Sequence, residues 1–75
     1  MIENYKTTDI VLAAYLRLNE NKMLGIEKIG QRGTFVFEEV DEEFIRLYDL
    51  GKALVEPIAF NNMIKVLTTA VRRTN

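Results

Sequence analysis

Neither cysteine nor histidine occurs anywhere in the 75 residues. A domain this short therefore has no disulfide and no sulfur- or imidazole-bound zinc to brace it, so stability has to come from packed apolar side chains or from self-association. The same gap excludes thiol nucleophiles and histidine acid–base chemistry. A homodimer is thus expected before any element is placed. The composition is that of a globular chain, with 48% hydrophobic residues, ten basic against eleven acidic side chains and a net charge of -1. That is too apolar for disorder and too balanced for a polycation. One domain, residues 1–75, is predicted. Met1 to Lys6 lacks the apolar core of a signal peptide, and no apolar run approaches the ~20 residues of a membrane span. A cytoplasmic protein without a membrane partner is expected.

Thr7-Thr8-Asp9 reads as a helix start, and the helix is predicted to run from Thr8 to Glu20, with Asn19 or Asn21 as the left-handed residue that ends it. On this helix Asp9, Ala13, Arg17 and Glu20 fall together. Ile10, Val11, Leu12, Ala14, Tyr15, Leu16 and Leu18 spread over an arc of roughly 240°, far wider than a surface helix needs. Such a helix must be covered from several sides, as the centre of the fold or by a second chain. In the second case Val11, Tyr15 and Leu18 are the expected dimer contacts.

Met23 to Ile29 is predicted as a strand and Gly30-Gln31-Arg32-Gly33 as a hairpin loop. The return strand, Thr34 to Glu38, places Phe35 and Phe37 on one face and Thr34, Val36 and Glu38 on the other. A lone hairpin is marginal in water, so the phenylalanine face should pack under helices. Asp41 is the expected cap of a second helix that ends at Gly51, with Val40 stapled onto Ile45. Leu54 and Val55 read as a loop or a short third strand. Pro57 opens the last helix, which runs to Arg73. Its apolar arc holds Ala59, Phe60, Met63, Ile64, Val66, Leu67, Ala70 and Val71, and only Ile58 falls on the polar side. The expected fold class is α+β in the order α-β-β-α-α, a two-stranded antiparallel hairpin packed against three helices.

Chemistry-bearing patterns are few. Arg32-Gly33-Thr34-Phe35-Val36-Phe37 partly matches the basic-glycine-aromatic motif whose rings stack on RNA bases, but exposing both phenylalanines would cost the core about 2–3 kcal/mol each. The polar face of the last helix carries Asn61, Asn62, Lys65, Arg72 and Arg73 with no acid among them, a face suited to phosphates. Its plainer reading is a solvated helix whose terminal cations complement the helix dipole. Glu38, Glu39, Asp41, Glu42 and Glu43 crowd one helix start without the ligand spacing of a calcium loop. Asp9 and Glu20 stand about 16 Å apart on a helix, too far for a carboxylate pair. No cofactor, metal site, small-molecule substrate or enzymatic activity is predicted.

Tyr5-Lys6-Thr7-Thr8-Asp9, Leu12-Ala13-Ala14-Tyr15-Leu16, Ile26-Glu27-Lys28 and Phe35-Val36-Phe37 together resemble a small bacterial and phage-associated family catalogued only as a domain of unknown function. The resemblance runs from Tyr5 to Val71 and departs at Asn21, where glycine is expected. It implies a compact α+β unit and transfers no catalytic or binding position. The leading expectation is a non-catalytic interaction module, self-associating through apolar helix surface. The alternative is an accessory nucleic-acid binder that uses the last helix.

Overall fold

The computed structural model describes residues 4–74. They form β1 (Tyr5–Thr7), α1 (Ile10–Leu18), β2 (Met23–Ile29), β3 (Arg32–Phe37), α2 (Glu42–Asp49) and α3 (Pro57–Arg73). The class is α+β, with three helices and one antiparallel sheet in the strand order β1-β3-β2. The sheet has three strands where two were expected, and the element order gains a leading strand. Tyr5, Lys6 and Thr7 pair with Phe37, Val36 and Phe35. The third strand is therefore Tyr5–Thr7; Leu54 and Val55 lie in an irregular connector.

The β2–β3 hairpin closes more tightly than its four-residue loop suggested. Ile29 pairs with Arg32, so only Gly30 and Gln31 turn the chain, and Gly30 sits at φ +64°. A positive φ at the first of two loop residues is the type II′ arrangement, whose twist matches that of paired strands. Gly33 belongs to β3 and has another reason to be glycine: a Cβ there would lie 2.9 Å from a methyl of Val71 on α3. Its bare backbone is what lets the end of α3 seat on the sheet.

Helix α1 is the centre of the molecule. Leu12, Ala13, Ala14, Tyr15 and Leu16 are all buried, five consecutive residues covering every direction around the axis. Ala13, expected on the charged line, is fully enclosed, because a methyl group is small enough to let a neighbouring element close over it. The sheet covers one side of α1, with Phe35 and Phe37 buried against it, and α3 lies along another through Leu67. Helix α2 packs only through half-buried side chains, Phe44, Ile45 and Tyr48 among them.

The helix is two residues shorter at each end than predicted. Asp9 is its cap, accepting from the amides of Val11 and Leu12. At the far end neither Asn19 nor Asn21 is left-handed; Glu20 is, at φ +65°. The two asparagines instead donate side-chain amides to the carbonyls of Tyr15 (2.8 Å) and Leu16 (3.0 Å), adding a second donor to last-turn carbonyls that the backbone amides of Asn19 and Asn21 also reach. Asp41 caps α2 and Gly51, at φ +71°, follows its end, as the sequence predicts. Glu56 caps α3 by accepting from the Ala59 amide, one residue before Pro57.

On the outer sheet face Val36 is buried, although strand alternation turns it away from the helices. Lys6 stands opposite Val36, Glu27 stands opposite Thr34, and their ion pair of 3.2 Å crosses β3 between them. Both charged groups are half-exposed, so the pair itself contributes little. Its effect is to lay the aliphatic stem of Lys6 over Val36.

Candidate functional site

Two surfaces compete for a function, and both involve α3. The polar face is as predicted in outline: Asn61, Asn62, Lys65, Arg72 and Arg73 are all exposed. At 1.5 Å per residue they extend over about 18 Å, with Asn61, Lys65 and Arg72 in one row and Asn62 and Arg73 in the next. Among the described residues none of Lys65, Arg72 and Arg73 has a carboxylate partner, since the two ion pairs are Lys6–Glu27 and Glu43–Arg46. The row is not purely polar. Val66, assigned by periodicity to the buried arc, is 59% exposed, because it sits at the edge of that arc, about 100° from the buried Leu67.

The apolar surface lies where α1, the α2–α3 connector and α3 meet. Leu18, Leu54, Val55 and Ala59, with Asn19 and Glu56 at its rim, line a shallow groove of about 220 Å³. Leu54 is 89% exposed and Ile58, next to the groove, 71%. Val11 is also exposed on α1. Tyr15, expected beside Val11 and Leu18, is not available to a second chain. It is buried in its own core, edge-on to Phe44 at 6.1 Å and stacked with Tyr48 at 6.3 Å. The expected contacts thus reduce to Val11 and Leu18. Leu54, Val55, Ile58 and Val66 are additions that sequence reasoning missed. A signal was present in the apolar pair Leu54-Val55 just before Pro57 and in the off-arc position of Ile58.

A monomer of 8.7 kDa is expected to expose about 4,700 Å², and this one exposes 5461 Å². The body is flattened, 36 × 33 × 18 Å, as one sheet layer under one helix layer dictates.

A polar junction ties α2 to α1. One oxygen of Asp9 caps α1, and the other accepts from the Tyr48 hydroxyl at 2.6 Å. That hydrogen bond, with partial burial and the charges of Asp9 and Asp49, pushes the Tyr48 phenol up to about 12. Tyr5 is also raised, first by burial and then by Asp49 and Asp9. Arg46 donates two hydrogen bonds to Glu43, which lowers the Glu43 carboxyl. The Tyr48–Asp9 bond orients α2 against the start of α1, whereas the Glu43–Arg46 pair lies within α2 itself.

The other sequence candidates resolve plainly. Phe35 and Phe37 are buried and present no ring to a base. Among the described residues, the acids from Glu38 to Glu43 do not converge into a cluster of three metal-ligating side chains. No described helix is long and apolar enough to cross a membrane. No family model matches the chain, and neither a curated protein nor a solved structure shows significant similarity to it.

Proposed function

We propose that this chain is a non-catalytic interaction module that pairs with a second copy of itself through the apolar side formed by α1, the connector and α3. The observation that carries this reading is the pair of exposed side chains Leu54 and Val55 lining the groove at Leu18, with exposed Ile58 one residue beyond its Ala59 wall. Burying large aliphatic side chains is the main driving force of association, at about 25 cal/mol per Å² of apolar area. Two copies related by a two-fold axis would each contribute the same patch, so a leucine or isoleucine near the axis meets its own counterpart.

Sedimentation velocity from micromolar to submillimolar concentration tests the reading. The wild type is expected to shift from 8.7 kDa toward twice that mass. Leu54→Lys with Ile58→Lys sets like charges against each other across the axis and should weaken the dimer at least about tenfold, with the circular dichroism spectrum unchanged. A wild type that stays monomeric throughout the range overturns the proposal.

A second reading, binding of nucleic acid along α3, is favoured by the acid-free face of Lys65, Arg72 and Arg73. It ranks lower, because three cations on a chain of net charge -1 make a small electrostatic footprint.

A further inference from the structure

Helix α2 is complete in itself. Its start is capped from within the same segment, Asp41 accepting from the Glu43 amide. Its end is closed by the amides of Gly51 and Lys52, which donate to the carbonyls of Tyr48 (3.0 Å) and Leu47 (2.8 Å). Its ion pair, Glu43–Arg46, is internal as well. The connectors on either side, 38–41 and 50–56, carry no regular structure, and Gly51 lies in the left-handed region.

Little ties this unit to the rest of the fold. Among the described residues, a single hydrogen bond leaves the stretch 39–55, from the Tyr48 hydroxyl to Asp9. No residue of α2 is buried, whereas α1 has five and α3 is anchored by Leu67. Its apolar hold is through Phe44, Ile45 and Tyr48, all half-buried. The α3 backbone lies close along α1, but that of α2 nears its neighbours only at isolated points. Side-chain size explains the difference, because the groups between two helices set their separation. Towards α2 the central helix turns the Tyr15 ring, and the rings of Phe44 and Tyr48 fill the gap. An open cavity of about 530 Å³ separates part of α2 from Tyr5 of β1.

We propose that α2 is a latched cover, which swings off α1 as one unit about its two connectors while the sheet, α1 and α3 stay folded. The Tyr48–Asp9 hydrogen bond is the latch, and opening uncovers the Tyr15 ring. The other oxygen of Asp9 remains on the α1 amides, so release does not undo the start of that helix. Sub-global opening draws on elements with few buried apolar contacts. An eight-residue helix is too short to persist alone in water, so α2 loses its own hydrogen bonds once detached. The inference rests on contacts within one chain and stands or falls apart from self-association.

Native-state hydrogen exchange of the ¹⁵N-labelled chain, at rising urea below the unfolding transition, tests the proposal. The amides of Arg46 to Leu50 should share one opening free energy and be at least about tenfold less protected than those of Ala13 to Leu16. Their exchange should respond weakly to urea, because little surface is exposed, while that of α1 follows the slope of global unfolding. Tyr48→Phe keeps the ring, removes the latch and should speed α2 exchange about tenfold. Protection and urea slopes equal to those of α1 would mean that α2 opens only with the whole molecule. Values graded along the helix would mean fraying from its ends, and no protection at all would mean that it never closes. Unchanged α2 exchange in Tyr48→Phe would remove the latch. Each of these results overturns the proposal.

Discussion

Phe37→Ala is expected to leave the chain without a cooperative fold at 25 °C. Phe37 is fully buried in the middle of the sheet, paired with Tyr5 on one side and Met23 on the other. Removing a core phenylalanine costs about 3–5 kcal/mol, from lost burial and from the cavity left behind. A single core in so short a domain supplies a net stability of only about 3–5 kcal/mol, so the loss equals the whole. Far-UV circular dichroism and the dispersion of the amide spectrum would report it. A variant that still unfolds in a cooperative urea transition, within about 1 kcal/mol of the wild type, would contradict the core described here. Ile29→Ala in the neighbouring strand is the control. Ile29 points to the outer face and is mostly exposed, so the change should stay within about 0.5 kcal/mol.

Leu67→Ala has the next largest expected effect. Leu67 is the one fully buried residue of α3, whereas Val66 beside it is largely in water. The helix therefore docks on α1 through a single deep side chain, with half-buried Phe60, Met63, Ile64 and Val71 around it. Losing that anchor should cost about 2–5 kcal/mol, while Val66→Ala should cost less than about 0.5 kcal/mol. Urea midpoints of the two variants measure the difference directly. Equal losses would mean that α3 is rotated about its axis relative to the packing described.

Local chemistry made some elements legible with their bounds. Pro57 at the first turn and a clean apolar arc place α3, and Asp41 and Gly51 bracket α2, because caps and breakers act within a few residues. β1 escaped for the opposite reason. Three residues carry too little alternation to be read, and their partner, the stretch from Phe35 to Phe37, is distant in sequence. The wide arc of α1 correctly indicated cover from several sides, yet it could not separate a central helix from one shared between chains. Tyr15 shows the difficulty. Its ring is equally suited to a partner chain, and only the return of α2 brings Phe44 and Tyr48 onto it. Gly33 reads in the sequence as part of the hairpin loop, whereas it belongs to β3 and packs against Val71 of α3. No spacing rule encodes that approach.

Everything proposed for the surface presumes that one chain completes its own core around α1 and leaves the groove at Leu18 and Leu54 outside it. Native-state hydrogen exchange, recorded on the Leu54→Lys, Ile58→Lys variant across a range of protein concentrations, tests this most directly. The account predicts that the amides of Ala13, Ala14, Tyr15 and Leu16 are the slowest in the molecule, exchange only by global unfolding and are insensitive to dilution. Fast exchange along α1, or protection that rises with concentration, would mean that a second chain completes the core, and would contradict it.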